Sequence, residues 1–398
     1  MKIGAVFLGG WMQRIEPHLY EVYNFMKNKK PNPFVNEENM KRIVSGINPQ
    51  KMQIVKRNGY AVFDFMIKGL KARYCEDGTV FLSEEIQNSS IESIRSTVGL
   101  LEDTFQAKII DELFGEVYKA GAPTPRVLFQ VTTRPVVIVL NSAKEEEVAD
   151  YFRLRDDEVI TKSTGKKIKH YIGQRMVVFI DPEFSRKNIE YYMQLAELSI
   201  FILDFQQIIS MVLNNHRGLW ERIDEIKGMA KIEVGKLAKV RDSLMNMKQA
   251  ISYIKMRLSQ MGAFLELKEI ANSGIIKDVP VLGETIISLK VDHNYMKHLW
   301  EMTENYNNST IELLGFVYDE SQKSSLDVLQ VIFLLTGIAQ IAGLFLIVPL
   351  GFAAMALYLP VSLMLVAVIY YSIKFYFASI KKQEVKFSGT IMEKELNR

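Results

Sequence analysis

The sequence predicts an α/β domain, then a helical layer with a long stalk helix, and last a transmembrane hairpin of two helices. Three observations carry this. Short runs dense in Val, Ile, Phe and Tyr recur through residues 1–183. Proline is missing between Pro182 and Pro280 and again between Pro280 and Pro349, while apolar residues return at helical spacing. Between Asp327 and Lys374 no charged residue occurs.

Strands are expected at residues 2–8, 60–66, 79–82, 127–132, 136–140 and 176–180, all rich in β-branched and aromatic side chains. Residues 158–180 read as a small meander that turns at Thr164-Gly165 and Gly173-Gln174. A helix is expected over about 91–119, stopped by Gly121 and Pro123. The acidic run Glu145-Glu146-Glu147 marks the start of a surface helix, where carboxylates favour the N-terminal dipole.

Helices follow at 186–214 and 220–271, with Gly218 and Gly228 as points of interruption, and Asn272-Ser273-Gly274 with Pro280 marks a turn. From 284 to 348 one helix of ~65 residues, ~95 Å long at 1.5 Å per residue, is expected. Its first part carries Lys290, Asp292, Glu304 and Asp319, so it begins in water. Neighbouring helices or chains are needed to bury Leu289, Met296, Trp300 and Leu313.

The uncharged run is about twice the ~20 residues that cross a bilayer as helix. It excludes a simple soluble enzyme. Pro349-Leu350-Gly351 divides it into spans of 328–349 and 352–373. Lys323 precedes the first span, Lys374, Lys381, Lys382 and Lys386 follow the second, and the loop between them is uncharged. By the positive-inside rule both termini lie in the cytoplasm of an inner-membrane protein. The expected divisions are a cytosolic α/β domain at 1–183, helical layer and stalk at 184–327, membrane helices at 328–377 and a cytoplasmic tail at 378–398.

Of the 398 residues, 49 are Lys or Arg and 46 Asp or Glu; the net charge of +3 is too small to argue for direct nucleic-acid binding. Cys75 is the single cysteine, which excludes an internal disulfide and a cysteine zinc cluster and fits a reducing compartment. The apolar stretch from Ile3 to Leu8 is shorter than a signal-peptide core and lacks a small-residue cleavage site, so it reads as a buried strand. No nucleophile elbow, zinc-protease helix, Cys-x-x-Cys or dinucleotide fingerprint appears, and the five histidines show no helical pair four residues apart. Ser163-Thr164-Gly165-Lys166 is not a phosphate loop, because the first Gly of that pattern would fall on Ile160. No enzyme activity is expected.

The order of these parts resembles the CorA-like metal-ion transporter superfamily. The local sequence is similar as well: Ser325-Leu326-Asp327-Val328-Leu329-Gln330-Val331-Ile332-Phe333-Leu334, followed by Ile341-Ala342-Gly343-Leu344-Phe345, looks like that family's first span. Residues 185–375 carry the resemblance. It departs at the family's Gly-Met-Asn signature, which would fall on Leu346-Ile347-Val348, side chains without an oxygen for hydrated magnesium. The family's acidic loop is absent between Pro349 and Phe352 as well. The resemblance implies a homo-oligomer, a pentamer, in the lipid bilayer, with Mg2+ as an ion sensed or carried. A branch of such proteins encoded beside type III CRISPR systems is thought to respond to a nucleotide messenger in antiviral defence; likeness to it implies a nucleotide ligand.

Candidate pore residues follow from helical geometry. Asp327, Gln330, Phe333, Gly337 and Gln340 fall on one face of the first span, a polar or small stripe that continues the line of Asp319 and Lys323. In lipid a Gln needs water or a partner, so the stripe is expected to line a pore between chains or to glue helices together. Phe333 and Leu344 are candidate hydrophobic constrictions. For a soluble ligand, Arg126, Arg134, Lys162, Lys166, Lys167, Lys169 and Arg175 cluster in sequence and are candidates for phosphate contacts. The plainer reading of these cations is a solvated basic face. The expected function is a ligand-gated ion channel. The alternatives are a divergent divalent-cation transporter and a non-conducting membrane-anchored receptor or scaffold.

Overall fold

The computed structural model describes residues 3–12, 19–27, 37–57, 59–115, 134–165, 168–228, 231–347, 364, 368, 371, 374–375 and 384–386. The chain divides into two compact units, Met1–Asn214 with Lys255–His298, and Asn215–Ile254 with Leu299–Arg398. It is a mixed-sheet domain followed by long helices, as the coarse sequence reading expects.

In the first unit nine strands form one sheet in the order β2-β3-β4-β5-β1-β6-β9-β8-β7. They are β1 (Gly4–Trp11), β2 (Gln50–Arg57), β3 (Tyr60–Ile67), β4 (Leu70–Cys75), β5 (Thr79–Ile86), β6 (Val136–Leu140), β7 (Thr161–Thr164), β8 (Lys169–Ile172) and β9 (Met176–Ile180). β6 and β9 run parallel; the other pairs are antiparallel. β1 lies in the middle and is buried on both faces, so it reads as a continuous apolar run without alternation.

One face, with Val6, Leu8, Phe63, Phe65, Leu82, Ile138 and Val178, packs against α1 (Leu19–Met26), α2 (Glu37–Ile47), α3 (Ile91–Thr104) and α4 (Glu145–Arg153). α3 starts where the Ser93 amide donates to Ser90 Oγ and passes into a π-helical segment, Phe105–Phe114. α4 begins with the predicted acidic turn, and the Lys144 amide donates to the Glu147 carboxylate at 2.9 Å. The other face meets α5 (Ile189–Gly228) and α6 (Val234–Ala271). There the Trp11 ring centre lies 4.7 Å from Phe201, 5.5 Å from Phe205 and 6.3 Å from Phe264. α7 (Ser273–Asp278) and α8 (Pro280–Ile347) complete the helices.

The expected strands at 60–66, 136–140 and 176–180 form, and those at 2–8 and 79–82 extend further, to Trp11 and Ile86. β2 and β4 were not expected, because Lys51, Lys56, Arg57, Lys71 and Arg73 dilute their apolar pattern. The expected strand at 127–132 lies outside the described residues. The meander forms as β7, β8 and β9, and its last turn closes on buried Asp157, which accepts from the amides of Gln174, Arg175 and Met176 at 3.0, 2.7 and 2.9 Å. Gly173 is required there, since a Cβ would meet Asp157 Oδ2 at 2.5 Å. Gly218 interrupts nothing: α5 runs through it to Gly228. The expected turn at 272–274 is a short helix, α7, and α8 begins at Pro280, whose missing amide is tolerated at a helix start.

In the second unit, α8 buries Trp300, Thr303, Asn307, Thr310 and Leu314, a seam stepping by three and four residues. Facing it are Ile223 and Ile226 of α5 with Leu237, Leu244, Ile251 and Ile254 of α6. The seam is polar in its middle: His216 Nε2 lies 2.7 Å from Thr303 Oγ1, and Asn307 Nδ2 donates to the Leu244 carbonyl at 3.2 Å. Of the residues expected to be buried, Leu289 and Met296 are buried in the first unit and Trp300 in the second, whereas Leu313 is exposed because Leu314 takes the inward position. A two-strand ribbon joins β10 (Lys231–Glu233) to β11 (Glu384–Lys386).

Among the described residues one helix, Arg186–Gly228, is long and apolar enough to cross a membrane. Its apolar window is 78% buried within the fold, and it carries Glu197 to Arg57 of β2 and Asp204 to Trp11 of β1, which makes it a core helix.

Candidate functional site

The face of the sheet toward α5 and α6 buries a charged network. Lys268 of α6, without solvent exposure, donates to Glu197 of α5 and to the Tyr60 hydroxyl, both at 2.7 Å, and lies 3.3 Å from Asp77. Tyr60 in turn donates to Asp77 at 2.6 Å, and Thr79 binds the same carboxylate through its amide and hydroxyl. Arg57 reaches the second oxygen of Glu197 at 3.1 Å. Beside them Arg73 of β4 spans Asp64, at 2.6 and 2.8 Å, and Glu190 of α5, at 2.9 and 2.8 Å. Trp11 ties in from β1: its amide donates to Asp204 and its indole to the Asp77 carbonyl.

Electrostatics keep these groups ionised. Burial alone would raise the Glu197 carboxyl, but Lys268, Arg57 and Arg73 outweigh it and hold it well below the usual carboxylate range. Burial opposes the Lys268 ammonium, yet Asp77 and Glu197 push its pKa up. Burial raises the Tyr60 phenol and, first among several causes, the Cys75 thiol, so neither is a nucleophile at neutral pH. The network orders the two layers; a protonated, sealed lysine offers no electron pair for chemistry.

A cleft of ≈ 590 Å³ opens on the same sheet face, lined by Ile168, Asp181, Glu183, Lys187, Asn188, Glu190, Tyr191, Tyr192 and Asp278. Among the described residues no group of three or more His, Cys, Asp or Glu is placed to hold a metal ion.

The sequence-predicted cations are dispersed. Arg126, Lys166 and Lys167 lie outside the described residues. Arg134, at φ 51°, holds its guanidinium against Gln106 and Glu102. Arg175 is exposed in the turn before β9, and Lys169 is exposed on β8 where that strand pairs with Ile180, the far end of β9. Lys162 pairs with Glu145 at 2.5 Å. The described cations of this set thus stand at opposite ends of β9 or are already paired.

All six candidate pore residues, Asp327, Gln330, Phe333, Gly337, Gln340 and Leu344, lie on α8. Gln330 and Phe333 are exposed and Gly337 is half-buried, while the side chains of Asp327, Gln340 and Leu344 lie outside the described set. Phe333 and Leu334 are 73% and 65% exposed. Further on, Met364, Val368, Tyr371 and Phe375 are helical and 56–80% exposed, at steps of four, three and four residues that place them on one face.

Sequence reasoning missed the Lys268 network and the cleft. A signal existed: Lys268 interrupts the buried series Leu258, Met261, Leu265 of α6, and Glu197 sits in the most apolar stretch of α5. A charge where the helical period demands a core residue implies a buried partner.

Fold and site together define a mixed-sheet domain joined to long helices through an ionic core. No protein-family model matches the chain, and no curated protein matches it.

Proposed function

We propose that the chain is a homo-oligomeric membrane ion channel of CorA-like organisation, a pentamer, gated by a ligand of its sheet domain. The observation that supports it is the apolar surface on helices after residue 330: Phe333, Leu334, Met364, Val368 and Phe375 are 56–80% exposed in the single chain. In water such a face is costly; in lipid or against another chain it is stable. In this reading residues 328–349 and 352–373 span the inner membrane, both termini are cytoplasmic, and the polar stripe of Asp327, Gln330, Gly337 and Gln340 lines the pore with Phe333 and Leu344 as constrictions. Gating is a population shift: the ligand binds the open arrangement more tightly than the closed one, and α8 carries the difference to the pore. The ligand class is a nucleotide messenger, as the family resemblance implies, and the reading contains no catalytic step.

Reconstitution in liposomes tests it, with magnesium and monovalent-ion flux measured with and without a panel of cyclic and conjugated nucleotides. Flux that appears only with a nucleotide and changes in Gln340→Leu or Phe333→Ala is the expected result. Flux unchanged by either substitution overturns the pore assignment. Constitutive, divalent-selective flux replaces gating with plain transport, and no flux from a monomeric species replaces the channel with an anchored receptor.

A further inference from the structure

Resting on the membrane reading above, we infer that the tip of the α5–α6 hairpin is a contact surface for anionic lipid headgroups at the cytoplasmic face of the bilayer. The short ribbon of the second unit places it there. β10, between α5 and α6, pairs antiparallel with β11, which sets Lys231 opposite Lys386, Ile232 opposite Val385 and Glu233 opposite Glu384. β11 follows the second apolar helix closely: Phe375 is helical, and eight residues separate it from Glu384 in the sequence. A stretch of that length reaches at most about 32 Å when fully extended. The hairpin tip is therefore leashed to the point where, in this reading, the second span leaves the bilayer.

The charge of the hairpin changes in the same place. Away from the tip both helices are mixed: Glu221, Asp224 and Glu225 stand with Arg222 on α5, and Asp242 follows Arg241 on α6. From Lys227 to Arg241 there are five cations, Lys227, Lys231, Lys236, Lys239 and Arg241, against one carboxylate, Glu233. That surplus is larger than the net charge of +3 on the whole chain, so it is a local feature. Lys236, Lys239 and Arg241 are exposed on the opening turns of α6, where Leu237 and Leu244 take the inward positions. The end of α5 is fixed to α8 by Tyr306: Trp220 stacks on its ring at 4.5 Å, Lys227 lies over it at 4.3 Å, and its hydroxyl donates to Asp224 at 2.9 Å. At the span itself Lys374 is exposed on the helix beside Phe375, a further cation on the same side of the membrane.

Anionic lipids give the cytoplasmic leaflet a negative surface potential, and each Lys or Arg close to it strengthens binding about fivefold. The attraction fades within a Debye length, about 8 Å at physiological salt, so it acts only on cations that are held near the bilayer. The ribbon supplies that hold. At about 100° per residue Lys239 and Arg241 point roughly 160° apart, so they do not converge on a single phosphate group. Cations distributed around a helix end suit a broad charged surface met end-on.

Fluorescence quenching in nanodiscs tests this with the full chain. Ala238→Cys, at an exposed position of α6, carries the fluorophore, and the buried Cys75 takes no label. Spin-labelled headgroups quench it when the tip touches the bilayer. Strong quenching is expected in discs containing phosphatidylglycerol and little in pure phosphatidylcholine. It should weaken at least about fivefold in the triple variant Lys236→Gln, Lys239→Gln, Arg241→Gln, and survive in Lys236→Arg with Lys239→Arg, which keep the charge. Circular dichroism of each variant confirms the fold. Equal quenching in the two lipids, or quenching unchanged in the triple variant, overturns the proposal. Loss of quenching on adding inorganic phosphate, where chloride of equal ionic strength leaves it intact, also overturns it and assigns the cations to a free phosphate. A chain that does not enter the discs overturns the membrane reading together with this contact, whereas a chain that enters and shows no dependence on lipid charge overturns the contact alone.

Discussion

Replacing Lys268 by Met tests whether the ionic core holds the sheet to its helices. The substitution keeps an unbranched apolar stem one atom shorter and removes the charged Nζ. It takes away two hydrogen bonds at 2.7 Å and leaves Glu197 with Arg57 and Asp77 with Tyr60 and Thr79 in a site with no solvent. Removing one partner of a buried pair costs about 3–5 kcal/mol, because the remaining charge stays desolvated. For a unit of this size each kcal/mol moves Tm by about 2–4 °C, so a fall of roughly 6–20 °C is expected. Thermal unfolding of the purified chain, followed by circular dichroism, reads it. Glu197→Gln and the double variant close a cycle, in which the double loses less than the sum of the singles because the two groups act together. A Tm change under about 2 °C in Lys268→Met would refute the reasoning, since it would mean the ammonium contributes no more than an exposed surface ion.

The same network sets an acid limit. Glu197 and Glu190 have folded-state pKa values below the ordinary range, so the unfolded chain binds more protons in acid; their contribution is present above about pH 4.3 and is lost as pH falls toward the folded values. Tm measured from about pH 7 to pH 3 should therefore drop steeply below about pH 4.5, and less steeply in Glu197→Gln; equal slopes would remove Glu197 from the account. At the β8–β9 turn, Asp157→Ala strips the partner from the amides of Gln174, Arg175 and Met176 and should cost about 3 kcal/mol or more. Hydrogen exchange at these three amides should accelerate before that of β1; unchanged protection would show that water replaces the carboxylate without penalty.

The parts legible in the sequence were those where one physical demand acts alone. Val136–Leu140 and Met176–Ile180 need burial on both faces and are apolar throughout, so their bounds were read without error. β2 and β4 answer two demands at once: Arg57 and Arg73 belong to strands yet reach Glu197 and Glu190 on α5. Their charges therefore looked like loop. The site was less legible than the fold for the same reason. Tyr60, Asp77, Glu197 and Lys268 come from four separate stretches of chain, and nothing local in any of them announces the other three. The basic residues did cluster in sequence, but a strand separates its two ends, and β9 sets Arg175 and Lys169 apart.

β1 lies at the centre of the sheet, paired with β5 on one side and β6 on the other. That position governs the order of assembly during synthesis. After Trp11 is made, roughly 75 residues must follow before Ile86 completes β5, which at 5–20 residues per second takes about 4–15 s; Leu140 comes later still. Throughout that interval the segment Gly4–Trp11, with Val6, Phe7, Leu8 and Trp11 unprotected, has no strand to pair with. The hairpins β2–β3–β4–β5 close locally in the meantime and then offer β5 as the template on which β1 docks. The nascent chain thus makes β1 well before either of its partners, so the yield of folded protein depends on what shields eight residues for those few seconds.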